Sequence, residues 1–197
     1  MLIEIEGIDG AGKTTIVTYV ERELKRKGFN VISFKEPSNS IYSKKLKNMS
    51  QHRRLSPQDE SDLLIKDREI DVRKNIIPAL REGKIVIMDR YYYSHVYQAA
   101  RGMSLDEIIN ENRKFAPEPD VVIVLDVPAE VALKRIKKSR ESTDSFENKE
   151  YLEKVRELYL KLKNLQNVYI VDANKEINEV RKEVMSIILR YLEVKDE

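Results

Sequence analysis

One octet near the N-terminus constrains this chain more than any other feature of its sequence. Residues 7–14 read Gly-Ile-Asp-Gly-Ala-Gly-Lys-Thr, which fits the phosphate-binding pattern G-x-x-x-x-G-K-[ST]. Residues 2–6 before it alternate in polarity as a strand does, and residues 14–27 after it carry an apolar helical stripe. Phosphate binding by this pattern requires that it lie between a strand and a helix. We therefore predict a protein that binds nucleotides.

Each residue type in the octet has an expected role in phosphate binding. Its glycines let backbone N–H groups approach the phosphates, and the helix N-terminus adds positive potential. Lys13 is expected to reach the β- and γ-phosphates, and the Thr14 hydroxyl is a candidate Mg²⁺ ligand. The alternative is a glycine-rich turn that binds nothing. The residues expected around the donor phosphates are Gly7, Asp9, Gly10, Ala11, Gly12, Lys13, Thr14 and Thr15.

Composition excludes several other classes of protein. The 36 basic and 34 acidic residues give a net charge of +2, so no global field favours nucleic acid. There is no cysteine, hence no disulfide or thiolate site, and the isolated His52 and His95 do not suggest a metal site. No run approaches the roughly 18 apolar residues of a membrane helix, and the N-terminus enters a strand rather than a signal peptide. We expect a cytoplasmic protein that acts on small molecules.

Strand-like and helical segments alternate along the chain, which is typical of an α/β fold with a parallel sheet covered by helices on both faces. The predicted strands are residues 2–6, 30–35, 85–89, 121–126 and 168–172, and the predicted helices are residues 13–27, 57–82, 104–114, 128–139, 147–163 and 175–192. Pro78 should kink the long second helix. Residues 37–56 are polar and basic and are expected to form a mobile connection over the site. The length favours one domain over residues 1–197.

Asp89 and Arg90 stand at the end of the third predicted strand, at the carboxyl edge of the sheet where open α/β folds bind ligands. Arg90 can hold a phosphate with two hydrogen bonds, or it forms a structural ion pair with an acid. Asp89 either holds a magnesium-bound water, positions the acceptor of the phosphate or caps a helix. Transfer of a phosphoryl group between nucleotides needs alignment of the phosphates and neutralisation of their charge. These residues fit that chemistry.

Segments along nearly the whole chain resemble the thymidylate kinase family. They are Glu6 with the octet, Lys35-Glu36-Pro37, Leu63 to Arg68, Asp89-Arg90-Tyr91 with Ser94, and Leu125 to Tyr159. Their order and spacing together are far more specific than any one motif. The resemblance implies a three-layer P-loop fold with a five-stranded sheet and a mobile lid at about residues 138–148. It also implies transfer of the ATP γ-phosphate to dTMP with Mg²⁺, and a homodimer.

The resemblance further implies roles for single residues. Asp9 would accept a hydrogen bond from the 3′-hydroxyl of the acceptor, Arg90 would hold its phosphate, and Arg68 would bind a carbonyl of its base. Arg135 would stack on the donor adenine, and Arg140 would close on the transferring phosphate from the lid. The implied catalytic residues are Lys13, Arg90, Arg140 and Asp9, and the metal residues are Thr14 and Asp89. The implied acceptor residues are Asp9, Glu36, Pro37, Leu64, Arg68, Arg90, Tyr91, Ser94, Tyr97 and Gln98.

The sequence departs from the family at positions that contact the acceptor. Leu64 stands where the family has a phenylalanine that stacks on thymine, and Gln98 stands where it has an aromatic that excludes a ribose 2′-hydroxyl. Tyr97 comes one residue early, which on a helix rotates a side chain by about 100°. Either the loop absorbs a deletion or the acceptor pocket differs. A broader nucleoside monophosphate kinase, and a nucleotide-binding module that transfers no phosphate, are the alternative hypotheses.

Two further features are open on the residues alone. Gly10 matches the class of these kinases whose catalytic arginine lies in the lid, although Ser145 replaces the second arginine usual there. Tyr92 and Tyr93 either line the site with Tyr91 or pack in the core at the end of a strand.

Overall fold

The computed structural model describes residues 1–52, 54–139 and 148–195. Its parallel sheet has five strands in the order β2-β3-β1-β4-β5. The strands are β1 Leu2–Glu6, β2 Val31–Lys35, β3 Ile85–Asp89, β4 Val121–Asp126 and β5 Val168–Asp172. In β1 and β3 every residue is buried. Because successive strand residues point to opposite faces, helices must cover both faces of the sheet, as predicted.

The helices occupy the connections between the strands. They are α1 Lys13–Arg26, α2 Ile41–His52, α3 Pro57–Asp71, α4 Ile77–Arg81, α5 Val96–Ala99, α6 Leu105–Arg113, α7 Ala129–Ser139, α8 Lys149–Lys161 and α9 Ile177–Lys195. One core of buried apolar side chains joins the strands to α1, α8 and α9. Among the described residues, no helix combines the length and the apolar character needed to cross a membrane.

The connection over residues 37–56 contains a helix that was not predicted from the sequence. α2 occupies much of the polar segment before α3 and packs against α3. The Ser40 hydroxyl accepts hydrogen bonds from the N–H groups of Tyr42 at 3.0 Å and Ser43 at 3.4 Å, which caps the start of α2. This helix was not predicted because the polar composition concealed its capping serine; the mobility of the segment stays a prediction.

The long helix predicted over residues 57–82 is interrupted before Pro78. A π-helical turn, Val72–Ile76, separates α3 from α4, and the N–H of Ile77 donates to the carbonyl of Val72 five residues back. Proline has no N–H and its ring clashes with the carbonyl four residues earlier. The wider turn one step ahead of Pro78 accommodates both effects.

Candidate active site

The candidate site lies at the carboxyl edge of the sheet. The phosphate loop follows β1, Asp89 and Arg90 end β3, and Lys35 and Glu36 end β2. These three strands are neighbours, so the parallel arrangement brings their carboxyl ends together at one edge. Ligands bind at this edge in open α/β folds.

Lys13 lies within the curve of the phosphate loop. Its ammonium group donates to the carbonyls of Gly7 at 2.8 Å and Ile8 at 2.9 Å, and its side chain is buried. Burial, followed by the repulsion of the nearby Arg90 guanidinium, lowers the pKa of Lys13 to about 8. A bound polyphosphate would favour the charged form of this amine. Thr15 is exposed beside it at the start of α1, while Ala11 is buried within the loop.

Gly10 permits close packing between the phosphate loop and α7. Its φ is +82°, and a Cβ atom placed there would lie 2.5 Å from the carbonyl oxygen of Ala132. No side chain can occupy that space without moving the backbone of α7. An arginine at position 10 is therefore sterically excluded. The helix that excludes it, α7, ends at Ser139, within the segment expected to form the lid.

Thr14 and Asp89 form a hydrogen-bonded pair below the phosphate loop. The Thr14 hydroxyl donates to Asp89 Oδ2 at 2.5 Å, and Asp89 Oδ1 is buried without a hydrogen-bond partner in the described part of the chain. Lys35 Nζ lies 3.3 Å from the Thr14 oxygen and 3.4 Å from Asp89 Oδ2. Hydroxyl and carboxylate oxygens are the ligands that Mg²⁺ prefers. The pair therefore fits the metal that the family resemblance implies.

Asp9 and Arg90 form an ion pair between the phosphate loop and the end of β3. The Asp9 carboxylate also lies 4.0 Å from Lys13 Nζ. Burial raises the pKa of Asp9, but the Arg90 and Lys13 cations outweigh burial and hold it below its ordinary value. Arg90 has a φ of +72°, a strained backbone conformation for a side chain of this size. Asp9 therefore brings the Lys13 ammonium group of the phosphate loop and the Arg90 guanidinium close together.

Tyr97, and not Gln98, lies at this ion pair. The Tyr97 hydroxyl accepts a hydrogen bond from the N–H of Asp9 at 2.9 Å, and the Arg90 guanidinium lies 5.1 Å from its ring centre. Gln98 is buried, and its side chain lies beside Glu60 and His95. A 3₁₀ helix, Tyr92–His95, precedes them, and each of its residues turns the chain about 20° further than an α-helical residue. Its four residues add about 80°, which nearly replaces one missing residue.

Arg68 is fully buried and bound within the protein. It donates to Glu36 Oε2 at 2.5 Å, to the carbonyl of Tyr91 at 2.5 Å and to Asn112 Oδ1 at 2.6 Å. Burial raises the pKa of Glu36 to about 7, against the opposing effect of Arg68. Leu64 lies one turn before Arg68 on α3 and is half-buried. Arg68 thus fixes the turn after β3.

Three of the predicted acceptor residues do not present free polar groups. Tyr91 is fully buried and its hydroxyl donates to the carbonyl of Pro117 at 3.1 Å. The Ser94 hydroxyl donates to Glu6 at 2.6 Å, and Glu36 is held by Arg68. Pro37 is exposed at the end of β2. Tyr92 and Tyr93 belong to the hydrophobic core, which resolves the alternative left open for them.

Glu4 and Glu6 are functional candidates that the sequence did not reveal. Both side chains are fully buried on β1. Glu6 accepts hydrogen bonds from the Tyr91 N–H at 2.9 Å and from the Tyr159 hydroxyl at 2.6 Å, besides the Ser94 bond. Glu4 accepts from the Tyr93 N–H at 2.7 Å, and burial beside the Glu6 carboxylate raises its pKa well above the usual range. A carboxylate in a central strand covered on both faces could have signalled this burial.

The side of the site expected to bind the ATP donor includes residues that the structure describes and residues that it does not. Arg135 on α7 donates to the carbonyl of Ala173, just after β5, at 2.9 Å, which holds its guanidinium at the edge of the sheet. On the same side, Arg156 of α8 makes two hydrogen bonds to Asp126 at the end of β4, at 2.6 and 3.0 Å. Arg140 and most of the expected lid, including Ser145, lie outside the described residues.

The chain is similar to known proteins over nearly its whole length. A sequence model of the thymidylate kinase family matches residues 5–184. A probable thymidylate kinase of Archaeoglobus fulgidus is 48% identical over 196 residues, covering 99% of this chain and 98% of that protein. A thymidylate kinase of Xanthomonas euvesicatoria is 40% identical over 193 residues, covering 98% of this chain and 84% of that protein. One from Xanthomonas oryzae is 41% identical with the same coverage.

Proposed function

Because the chain belongs to the thymidylate kinase family, we propose that it transfers the γ-phosphoryl group of ATP to dTMP and forms dTDP and ADP. The observation that carries this proposal is the Asp9–Arg90 ion pair beside Lys13. It sets a second cation, the Arg90 guanidinium, next to the donor loop, where it would hold the phosphate of the acceptor. A protein that only senses a nucleotide needs no such second site.

On the donor side, we propose that the backbone of residues 7–15 and the Lys13 ammonium group hold the β- and γ-phosphates of ATP. Lys13 already donates to two loop carbonyls, so its position is set before the nucleotide arrives. Arg135 would stack its planar guanidinium on the adenine, since its bond to the Ala173 carbonyl fixes that group at the sheet edge.

On the acceptor side, Arg90 would hold the phosphate of dTMP and Asp9 would accept a hydrogen bond from the 3′-hydroxyl. Tyr97 covers both residues, so its ring would lie against the sugar and exclude a 2′-hydroxyl. Arg68 would bind a carbonyl of the base. Arg68 also holds Tyr91 and Glu36 in place. Leu64, Pro37 and Ser94 would lie around the acceptor, whereas Gln98 is buried and is not assigned to the acceptor sugar.

The proposed metal site consists of Thr14 and Asp89. When bound, Mg²⁺ supplies charge neutralisation on the donor phosphates. The Thr14 oxygen would be a direct ligand, and Asp89, with one buried oxygen that accepts no bond from the described residues, would hold a metal-bound water. Within the described ranges, no group of three His, Cys, Asp or Glu side chains could hold a metal alone. The nucleotide phosphates would complete the ligand set, as is usual for Mg²⁺.

We further propose a single domain over residues 1–197, with Arg140 as the lid arginine that closes on the transferring phosphate. Closure would exclude water, so that the γ-phosphoryl group passes to the acceptor and is not lost by hydrolysis of ATP.

The remaining proposals are a cytoplasmic location, a homodimer and no nucleic-acid partner. Sedimentation of the purified chain tests the dimer.

The test of the proposed function compares Arg90→Ala with Arg113→Ala. Arg113 is an exposed arginine paired with Glu118, and its loss should leave both rates and KM values unchanged. Arg90→Ala should lower kcat/KM for dTMP by about 100-fold or more, because a cation on the transferring charge is lost, while KM for ATP changes little. Equal activity of the two variants would remove Arg90 from the proposed mechanism.

A further inference from the structure

Lys35 is the last residue of β2. Its ammonium group contacts the Thr14 hydroxyl and the Asp89 carboxylate, the two groups proposed to hold the metal. We infer that Lys35 occupies the metal's position on Thr14 in the nucleotide-free protein, and that Mg²⁺ must displace it. This inference rests on the metal site of the proposed function. It assigns to Lys35 control over when a divalent cation can bind there.

The geometry at the Thr14 oxygen carries this inference. A hydroxyl has one O–H donor and two acceptor lone pairs. The O–H is committed to Asp89 Oδ2 at 2.5 Å, so only the lone pairs remain for a cation. Lys35 Nζ donates to that oxygen at 3.3 Å and lies 3.4 Å from Asp89 Oδ2. Lys35 uses one of the two lone pairs, and a metal ligated through the other would lie beside the Lys35 ammonium group and the same carboxylate. The two cations would repel each other there, so the metal has to displace Lys35.

Charge balance gives Lys35 a reason to be there. Asp89 is almost fully buried, and a buried carboxylate without a cation is costly. Lys35 compensates part of this charge before a metal arrives. Its own side chain is 62% exposed on a flexible stem, so it can move into solvent at low cost. Lys35 therefore behaves as a replaceable cation and not as a fixed ion-pair partner.

The consequence is an order of binding. Without nucleotide, a divalent cation would gain only the Thr14 oxygen and the Asp89 carboxylate while it displaces Lys35. With ATP, the phosphate oxygens add ligands and charge, and displacement becomes favourable. Lys35 thus discourages metal binding to the empty site and lets the metal enter with the nucleotide. The displaced ammonium group stays within reach of the phosphates.

The experiment measures Mn²⁺ binding to nucleotide-free protein by electron paramagnetic resonance. It compares wild type, Lys35→Met and Lys27→Met; Lys27 is an exposed lysine just after the C-terminal end of α1, whereas Thr14 lies in its first turn. We expect Lys35→Met to bind Mn²⁺ about fivefold more tightly than wild type, the fold-change for removing one exposed competing ion pair. Lys27→Met controls for the loss of one positive charge and should match wild type. Equal or weaker binding by Lys35→Met would overturn the inference.

A charge-preserving variant separates competition from packing. Lys35→Arg keeps the cation beside Asp89 and should bind Mn²⁺ as weakly as wild type. Tight binding by both Lys35→Met and Lys35→Arg would overturn the inference, because the charge would then not be the competitor. Since these titrations need neither ATP nor dTMP, their outcome is independent of phosphoryl transfer. A protein that shows the expected Mn²⁺ series but phosphorylates no acceptor would retain this inference and refute the proposed function.

Discussion

The Tyr159 hydroxyl of α8 donates a 2.6 Å hydrogen bond to the buried Glu6 carboxylate of β1. The same carboxylate holds the N–H of Tyr91 and the hydroxyl of Ser94, which flank the acceptor side of the site. Glu6 also directly precedes Gly7, the first residue of the phosphate loop. One buried carboxylate therefore joins the phosphate loop, the turn that carries Arg90 and helix α8.

Tyr159→Phe should destabilise the protein by about 1–3 kcal/mol, because it leaves one oxygen of a buried carboxylate without its partner. The free energy of unfolding in urea measures this loss. Tyr169→Phe is the matched control, because the Tyr169 hydroxyl donates to the neutral Tyr191 hydroxyl, at 3.3 Å, and not to a carboxylate. A loss no larger than that of the control would mean that Glu6 does not need Tyr159.

Gly10→Ala should cost more stability than Gly83→Ala. Both glycines have positive φ values, +82° and +74°, so each variant should lose about 1 kcal/mol from backbone strain. Only at Gly10 would the new Cβ meet a backbone atom, the Ala132 carbonyl at 2.5 Å, whereas nothing lies within 4 Å at Gly83. We expect Gly10→Ala to lose about 2 kcal/mol more in denaturant unfolding. Equal losses would refute the close approach of α7.

Tyr97→Ala should weaken the discrimination between deoxyribose and ribose acceptors. The Tyr97 ring covers the Asp9–Arg90 pair, whereas Gln98 is buried away from it. The ratio of kcat/KM for dUMP to that for UMP isolates the 2′-hydroxyl, since the base is the same. We expect this ratio to fall about tenfold in Tyr97→Ala, a change of about 1.4 kcal/mol. It should stay unchanged in Gln98→Ala; the opposite pattern would assign the role to Gln98.

Binding of ATP should be accompanied by proton uptake near pH 8. The pKa of Lys13 is lowered to about 8 by burial and by Arg90, and bound phosphates should raise it again. About half of the amines are neutral at pH 8, so about half a proton should be taken up for each nucleotide bound, and almost none at pH 6.5. Titration calorimetry of MgATP in two buffers of different ionisation enthalpy measures this number. A binding heat that is the same in both buffers at pH 8 would contradict it.

His95 should make the protein less stable below neutral pH. Burial, followed by the Arg68 cation, lowers the pKa of His95 well below its ordinary value. The folded state therefore binds this proton less readily than the unfolded state, whose histidine pKa is about 6.5. The resulting stability is present above about pH 6.5 and is lost as the pH falls, by about 1.4 kcal/mol for each pH unit until the folded pKa is reached. His95→Gln should lose less unfolding free energy between pH 7 and pH 5 than wild type. The same slope in both proteins would exclude His95 as its source.

The sheet and the phosphate loop could be predicted from the sequence because their signals are local. The first strand alternates in polarity, the later strands are nearly continuous apolar runs, and the octet carries its own glycines, lysine and threonine. Asp89 and Arg90 followed from their place after such a run. The order in space β2-β3-β1-β4-β5 then brings these local features to one edge.

The supporting residues could not be predicted because their partners are distant in the chain. Glu6 and Tyr91 are 85 residues apart, and Glu6 and Tyr159 are 153 apart. The alternating pattern of β1 also looks like that of a half-exposed strand, although both its carboxylates are buried. The position of Tyr97 depends on a 3₁₀ turn, and a count along the sequence assumes α-helical rotation.

The most direct test of the central claim is the initial rate of ADP formation from MgATP with dTMP, dUMP, UMP, CMP or AMP as the acceptor. The wild-type chain should show its highest kcat/KM with dTMP and produce dTDP. Lys13→Ala should abolish the reaction with every acceptor, because the cation on the donor phosphates is lost. ADP formation that does not depend on an acceptor, or a preference for any other nucleoside monophosphate over dTMP, would contradict the account.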